Sequence, residues 1–501
     1  MFYKPTSMNH FIQRTLVALL LVSGVFTIDS CARNPVTGKR QLAFMSEEKE
    51  IAMGKSYDPQ VIQEMGEYKN PKMAAFLTEK GNAMAAISER PNLPWKFTLV
   101  DSDVVNAFAV PGGFVYFTRG IMAHFNNEAQ FAGVLGHEIG HVTARHTVAQ
   151  QAKQTVGQIG LIGGMILSPE LASQGQSLMQ GMQMLFLKFG RDAESQSDEL
   201  GVKYSTAIGY DAKEMAGFFG TLDRLTGGSE NRVPEFQSTH PDPANRKQRV
   251  GQLAQAAQAK VPGKKFEVDR DGYLRMLDGM IYGPDPAQGF VEAGSFYHPG
   301  LKFQFKIPGQ WKLINSPSQV QIVSPDQKSV IQMKLAQGTD TRAAAQQFVE
   351  QSKIQVAQSS GNPINGLEAT TILGDVTQQA QQGQKPQSIR VQASFIAYGG
   401  NIYMLVGMAL PQDFNRYQRD IEYTIGTFAQ LNDQSKLNRR PETIKIVSNP
   451  RSQSLGQALT SAGVPSGRVK EMAILNGMQM NQTIPAGMLI KALGGDIRQV
   501  K

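Results

Sequence analysis

The sequence is poor in cysteine, and it lacks an apolar run long enough to cross a membrane comfortably. Cys31 is the only cysteine among 501 residues, which excludes an intrachain disulfide. Charged residues make up 18% of the chain and apolar residues 41%, a globular composition that excludes an intrinsically disordered protein. A chain of this length predicts two to four domains.

Net positive charge is concentrated at the C-terminal end. Residues 436–501 hold ten Lys and Arg against three Asp and Glu, which accounts for +7 of the formal charge of +8. A basic module suggests an anionic partner such as a cell-envelope polymer or a lipid headgroup; a merely solvated basic face is the alternative. This segment has no Phe, Tyr or Trp to stack on bases, which argues against nucleic acid as a partner.

The pattern His-Glu-x-x-His lies within residues 134–142. His137 and His141 are four residues apart, so on a helix they share a face and can point at one ion. Glu138 can reach a water beside that ion. Two neutral imidazoles on zinc with a carboxylate as general base are the arrangement of metalloproteases. Two helix-surface histidines beside a glutamate are the alternative interpretation.

Zinc in this class of site requires a third protein ligand, commonly Glu, and an outer carboxylate that orients an imidazole. Glu194 and Asp198 lie four residues apart downstream of the motif, on one face of a predicted helix. They supply one residue for each role, and an ordinary acidic helix surface is the alternative.

Three further residues bear on this site. His240 and Arg246 lie where a helix is predicted to start. Either could stabilise the oxyanion of a tetrahedral intermediate, or His240 could occupy the open zinc position and hold the enzyme inactive. The motif helix is predicted to continue to about Lys153. His146, five residues past His141, would then point away from the metal and be a surface or packing histidine.

The first 30 residues have the features of an export signal. Basic residues precede an apolar run of 13 residues, 16–28, which is too short for a transmembrane helix. The sequence before Cys31 resembles a bacterial lipoprotein cleavage site. This resemblance implies that Cys31 is lipidated and anchors the chain to a membrane, and Ala32 after it points to the outer membrane. An uncleaved N-terminal anchor is the alternative.

The remaining chain divides by composition, and the predicted fold class is α+β. Residues 31–262 are predicted to form the metal domain, and turn residues crowd a connector at 263–300. Residues 301–432 show an antiparallel α+β pattern without a cluster of Cys, His and acids, which predicts a binding or folding module. Residues 436–501 fit a small βααβ unit.

Together the motifs resemble those of bacterial M48-family zinc metalloproteases over about residues 31–260. The matching features are His137-Glu138-x-x-His141, Glu194 with Asp198, Asn-Ala-Phe-Ala-Val-Pro-Gly-Gly at 106–113, Thr239-His240-Pro241, and Asn-Pro-Val-Thr-Gly at 34–38. The resemblance implies a mainly helical, gluzincin-like zincin domain with a small sheet. It also implies that His137, His141 and Glu194 bind one Zn²⁺, with Glu138 as the base and Asp198 outside the ligands.

The same resemblance implies where a substrate binds. A peptide would add as a strand to an edge formed by Asn106, Ala107, Phe108, Ala109 and Pro111. Residues 436–501 are similar to a LysM-like module, which would imply binding to peptidoglycan or another envelope polymer. Residues 301–432 are similar to a PsbP/Mog1-like domain, with no function implied.

These features predict a zinc-dependent endopeptidase that is lipid-anchored in the periplasm, at the outer membrane, and degrades unfolded or misassembled envelope proteins. The alternative is an envelope assembly factor or holdase whose zinc site is latent.

Overall fold

The structure is a computed structural model that describes residues 31–42, 45–161, 189–226, 235–240, 243–377 and 388–497. The fold is α+β, as the sequence predicts, with a helical N-terminal part and mainly antiparallel sheet after it. The expected export signal lies outside the described residues. Within the described ranges, no helix has both the length and the apolar character to cross a membrane.

A hairpin and two helices open the described chain. These elements are β1 (Cys31–Arg33), β2 (Arg40–Leu42), α1 (Glu47–Met65) and α2 (Pro71–Ala86). Ser46 caps α1 by accepting a hydrogen bond from Lys49 N at 3.4 Å, and three glutamates in the first turn favour its positive end. Asn70 caps α2 in the same way.

A three-stranded sheet precedes the metal motif. Its strands are β3 (Lys96–Val100), β4 (Ala107–Val110) and β5 (Phe114–Thr118). The central strand β5 pairs parallel with β3 and antiparallel with β4. Gly112 and Gly113, at φ 86° and 101°, form the tight turn between β4 and β5, because the left-handed region favours residues without a Cβ. Strands β4 and β5 thus form a hairpin, and β4 lies at the edge of the sheet.

Eight helices follow in the described ranges. They are α3 (Arg119–His124), α4 (Glu128–Thr143), α5 (His146–Leu161), α6 (Arg191–Ala207), α7 (Glu214–Thr226), α8 (Glu235–Thr239), α9 (Pro243–Ala259) and α10 (Arg270–Leu277). Helix α4 carries the motif and is buried along its whole length. A Cβ on Gly136 would lie 3.0 Å from the Cα of Gly201, so small residues let the backbones of α4 and α6 touch. This close contact brings the carboxylates of α6 to the histidines of α4.

A second unit with its own apolar core follows, called the sheet unit below. Its elements are β6 (Phe290–Glu292), β7 (Ser295–His298), β8 (Phe303–Lys306), β9 (Lys312–Asn315), β10 (Val320–Val323), β11 (Ser329–Ala336), α11 (Thr341–Ser352), β12 (Gln355–Ser360), β13 (Ala369–Thr377), β14 (Ser388–Tyr398), β15 (Asn401–Ala409), α12 (Pro411–Gly426), β16 (Ala429–Gln430) and α13 (Gln434–Leu437). Seven antiparallel strands run in the order β12-β13-β14-β15-β11-β10-β9, and a smaller sheet has the order β16-β8-β7-β6. The antiparallel pattern is confirmed. The predicted connector, however, contributes β6 and β7 to this unit and α10 to the metal domain's core.

The C-terminal residues fold as the predicted βααβ unit. Its elements are β17 (Glu442–Ser448), β18 (Gln453–Ser454), α14 (Leu455–Ser461), α15 (Val469–Leu475), β19 (Thr483–Ile484) and β20 (Leu489–Gly495), with β17 antiparallel to β20. A separate module would have its own core, but these apolar side chains share one core with α4. The buried ammonium of Lys491 crosses the junction and donates to the carbonyls of Ala123, Phe125 and Leu475 at 2.7, 2.7 and 2.9 Å.

The basic surplus of this unit is therefore only partly a surface property. Lys491 is fully buried, and the buried Arg468 pairs with Glu442 at 3.0 Å. Lys445, Arg451 and Lys470 remain exposed. Net charge in the sequence overstates the charge that this unit presents to a partner.

Candidate metal centre

Helix α4 presents His137 and His141 on one face, as their spacing predicts. Their Nε2 atoms lie 3.0 Å apart and their ring centroids 4.7 Å apart. Asn127 caps the helix by accepting a hydrogen bond from Gln130 N at 2.8 Å. Both imidazoles are at most 2% exposed, so the pair lies in the protein interior.

Helix α6 supplies the two carboxylates. Glu194 Oε1 lies 3.4 Å from Nε2 of His141, and Oε2 lies 3.6 Å from Nε2 of His137. Asp198 Oδ1 lies 3.0 Å from Nδ1 of His137, on the opposite side of that ring. Glu194 therefore faces the nitrogens that converge, and Asp198 faces one that points away.

His240 joins this cluster from the residue after α8. Its Nδ1 lies 3.0 Å from Oε1 of Glu194 and 3.3 Å from Nε2 of His137. Its Nε2 lies 3.7 Å from Oε1 of Glu138. The ring thus spans the space between the converging donor atoms and the carboxylate of Glu138.

Arg246, on α9, lies behind the cluster and not inside it. Its Nε and Nη2 donate to both oxygens of Asp198 at 3.0 and 2.6 Å, and its Nη1 donates to the carbonyl of His240 at 3.2 Å. Nη1 also lies 3.1 Å from Oε2 of Glu194. The guanidinium stacks over the ring of Phe219 at 4.4 Å. Through these contacts the guanidinium holds Asp198, Glu194 and the backbone of His240 in place.

The donor set fits a divalent metal. One donor atom from each of His137, His141, Glu194 and His240 lies within 4.8 Å of all the others. Imidazole nitrogen and carboxylate oxygen are ligands that Zn²⁺ prefers. Burial lowers the pKa of His137 to about 4 and thereby keeps this ring neutral, as a ligand must be. Burial alone would raise the pKa of Glu194, but the charge of His240 holds it well below its usual range.

Glu138 points at the same space with an unsatisfied acceptor. Its Oε1 is buried, and no hydrogen-bond donor in the described part of the chain reaches it. Burial raises the pKa of Glu138 to about 8. A cation among the nearby donors would stabilise the ionised carboxylate, so the residues present fit a bound metal.

The predicted substrate edge lies beside the motif helix. Residues 106–111 form β4 and its turn, and among the described strands β4 pairs only with β5. The carbonyl of Val105, just before β4, accepts a hydrogen bond from Phe236 N at 3.1 Å. The side-chain oxygen of Asn106 is buried and has no partner among the described residues. Cys31 starts β1 opposite Leu42, and its lipidation stays a prediction.

His146 is a packing histidine, one of the two expected positions, but the expected continuous helix that would turn it away was wrong. Helix α4 ends at Thr143, and Arg145 adopts a left-handed conformation with φ 57°, so α5 starts in a new direction. His146 is buried, and its Nδ1 lies 3.0 Å from Nδ1 of His141. The expectation assumed one continuous helix, in which a residue five positions on would face away.

Sequence reasoning also missed a buried charge network behind the motif helix. Glu50, 1% exposed, pairs with Arg90 at 2.8 Å and with Arg145 at 2.9 Å. Arg90 also donates to the carbonyl of Val142 at 3.0 Å. These residues are far apart in sequence, and no local spacing pattern could have found them.

Comparison with known proteins points to a metallopeptidase, as the metal donors do. Residues 71–254 match the profile of peptidase family M48. It is 29% identical over 250 residues to the beta-barrel assembly-enhancing protease of Yersinia pestis, covering 46% of this chain and 51% of that protein. It is 26% identical over 233 residues to the mitochondrial metalloendopeptidase OMA1 of Arabidopsis thaliana, covering 46% and 45%. The chain thus spans about half the length of the curated relatives it matches.

A solved structure resembles part of the chain. The solution structure of the cyanobacterial PsbP from Synechocystis sp. PCC 6803 covers 28% of this chain and 96% of its own, at 11% identity and a TM-score of 0.23. A score of this size carries no argument, and the PsbP/Mog1-like assignment of residues 301–432 stays a prediction.

Proposed function

We propose that this chain is a zinc-dependent endopeptidase of the M48 type. The supporting observation is that four buried metal donors and the unpartnered carboxylate of Glu138 share one space. His137, His141 and Glu194 would hold one Zn²⁺ per chain, and Asp198 would fix the orientation of His137.

The residues around the centre divide the work of peptide hydrolysis. Zinc held there would polarise the scissile carbonyl and acidify a water molecule. Glu138 would remove the proton from the attacking water and deliver it to the leaving amine nitrogen. Arg246 would hold Asp198 and Glu194 in place, because its donors are already used on them and on the carbonyl of His240.

His240 has two possible roles, and one variant separates them. Its Nε2, on the side of Glu138, could donate to the oxyanion of the tetrahedral intermediate. Alternatively, its Nδ1 could remain in the donor cluster and keep the enzyme inactive. His240→Ala should lower hydrolysis in the first case and raise it in the second, and zinc coordination compared with wild type shows whether His240 is a ligand.

A substrate peptide would extend the three-stranded sheet along β4. One edge of β4 is unpaired among the described residues, and main-chain hydrogen bonds along such an edge bind extended peptides. Asn106 lies at the start of this edge with a free side-chain oxygen that could accept from the peptide backbone. Residues Ala107, Phe108, Ala109 and Pro111 would line the same path.

The substrates we propose are unfolded or misassembled envelope proteins, because several relatives are named beta-barrel assembly-enhancing proteases. The chain would act in the periplasm, anchored to the outer membrane through lipidated Cys31. The exposed Lys445, Arg451 and Lys470 could contact peptidoglycan or another anionic envelope polymer.

A second candidate function is an assembly factor or holdase with a latent zinc site. It is favoured by His240, whose presence among the donors would close the open position that a catalytic zinc requires. Rescue of a deletion phenotype by the Glu138→Gln protein would support this second function over hydrolysis.

The decisive variant for hydrolysis is Glu138→Gln, with Glu199→Gln as its matched control on the exposed face of α6. Glu138→Gln should retain wild-type zinc content and lose hydrolysis of an unfolded protein by about 10²- to 10⁴-fold, the usual contribution of a general base. Glu199→Gln should match wild type in both measurements. Full activity in Glu138→Gln would exclude the proposed mechanism.

A further inference from the structure

The two imidazoles of the motif helix are held by different partners. Nδ1 of His137 faces the carboxylate of Asp198 at 3.0 Å, whereas Nδ1 of His141 faces Nδ1 of His146 at 3.0 Å. A histidine that binds metal through one nitrogen usually donates the proton on the other to an acceptor, which fixes the ring. For His141 the group in that position is another imidazole.

The backbone is shaped to bring His146 there. The left-handed conformation of Arg145, φ 57°, separates the end of α4 from the start of α5 and turns His146 back toward His141. A non-glycine residue in this region needs support from its surroundings. Arg145 has it, because Nε donates to Glu50 at 2.9 Å and Nη2 donates to the carbonyl of Met45 at 2.7 Å.

The donors and acceptors between the leader, residues 31–42, and His146 can be assigned one by one. The side-chain oxygen of Asn34 accepts from the backbone N–H groups of Val36 and Thr37 at 2.9 and 3.1 Å, so its amide nitrogen must be the donor on the other side. That nitrogen lies 3.5 Å from Oε1 of Gln196, which is consistent with an acceptor there. The same Oε1 lies 2.9 Å from Nε2 of His146, which must then carry the proton.

The rest of the chain of hydrogen bonds follows from the chemistry of imidazole. A neutral ring protonated on Nε2 has a lone pair on Nδ1. His146 can therefore accept the Nδ1 proton of His141, and His141 is left with a lone pair on Nε2, the atom that belongs to the donor cluster. Ser197 Oγ also faces this lone pair, at 3.2 Å, and is the more distant of the two groups.

We propose that His146 is a positioning residue for His141. It accepts the Nδ1 proton of His141, and Gln196 and Asn34 hold it in the tautomer that can do so. The proposal rests on the metal binding of the proposed function, and it assigns a role to the leader, residues 31–42, because Asn34 also donates to the carbonyl of Ala144 at 3.3 Å.

The test compares two substitutions of similar size. In His146→Asn a side-chain oxygen can stand where Nδ1 stood, and in His146→Leu no acceptor remains. We expect His146→Leu to weaken zinc affinity by about 10- to 100-fold, the usual cost of losing such a partner, and His146→Asn to recover most of that loss. Affinity is measured on the full-length chain by zinc competition with a chromophoric chelator, and thermal unfolding of the metal-free proteins reports whether they fold equally.

Every outcome decides the proposal. Equal zinc affinity in His146→Leu and wild type would overturn it, and so would an equal loss in both variants, because the acceptor would then be irrelevant. If His146→Leu does not fold, Gln196→Leu against Gln196→Glu makes the same comparison one residue further out, with weaker zinc affinity expected only in the first. Absence of zinc binding in wild type would overturn the proposed function as well, which distinguishes the two failures.

Discussion

The metal domain and the seven-stranded sheet unit differ in what they bury. In the metal domain, the buried side chains include all the charged and imidazole groups of the centre together with Glu50, Arg90 and Arg145. In the described residues of 290–430, the buried polar side chains are hydroxyls only: Ser324, Ser329, Thr341, Thr370, Ser394 and Thr424. The metal domain buries charged groups within its apolar core, and the sheet unit buries none in its described residues.

This difference indicates which unit contains the reactive site. Burying a charge costs several kcal/mol unless it is paired, so concentrated buried charge indicates a site whose function requires it. The sheet unit has no buried charged side chains within its described residues, so any binding function there must use its surface. The C-terminal unit belongs with the metal domain, since it shares that core and buries Lys491 and the Arg468–Glu442 pair.

The largest expected contrast concerns metal. Glu194→Ala removes the only carboxylate among the four clustered donors, a proposed zinc ligand, so the purified protein should lose its zinc. Asp375→Ala, the matched loss of a carboxylate in the sheet unit, should leave zinc content unchanged. Metal analysis of both proteins checks this, and stoichiometric zinc in Glu194→Ala would show that the metal lies elsewhere.

The second contrast compares the loss of an arginine from a buried ion pair with its loss from a partly exposed one. Arg90→Ala removes a partner of the buried Glu50 and should cost about 3 kcal/mol of unfolding free energy. Arg390→Ala breaks the pair with Asp375, in which both side chains are about a third exposed, and should cost less than about 1 kcal/mol. Denaturant unfolding measures both values, and similar costs would contradict the comparison.

The third contrast tests which core each unit belongs to. Leu493→Ala and Leu405→Ala each remove a fully buried leucine and should each cost about 2–5 kcal/mol. Leu493 lies in the core shared with α4, and Leu405 lies in the sheet core. Because a ligand stabilises the unit that binds it, added zinc should raise the unfolding temperature of the transition weakened by Leu493→Ala and not of the one weakened by Leu405→Ala. Calorimetry that shows one transition with a common zinc shift would contradict separate cores.

The last contrast is a pH dependence within the centre. Burial raises the folded-state pKa of Glu138 to about 8 from an ordinary 4.5, so the folded metal-free protein binds a proton there that the unfolded chain releases. The stability from this group is complete below the unfolded pKa and is lost as pH rises toward the folded pKa. Metal-free Glu138→Gln should therefore gain unfolding temperature relative to wild type between about pH 5 and 8. A difference that does not change with pH would contradict a raised pKa.

Local patterns in the sequence predicted the parts of the centre that depend on a single helix. The spacing of His137 and His141 and that of Glu194 and Asp198 each place two side chains on one face, and the structure has them so. The position of His146 could not be predicted, because it depends on a left-handed Arg145 stabilised by Glu50, almost a hundred residues earlier. An arginine in that conformation carries no sequence signal, because the enriched non-glycine residues there are Asn, Asp and His.

Tertiary packing explains the other differences. The C-terminal unit has the βααβ order that the sequence predicts, but its apolar faces could close on themselves or on another unit, and periodicity does not say which. The same holds for the predicted connector, whose short strands complete the sheet of β8. Lys491 was counted as surface charge because its three carbonyl partners come from distant segments.

The most direct test of the central claim is to locate the metal. Crystals of the full chain grown with zinc, measured on both sides of the zinc absorption edge, should give one anomalous peak per chain among Nε2 of His137, Nε2 of His141 and the carboxylate of Glu194. An anomalous map without a peak there, or with its peak at another site, would contradict the account.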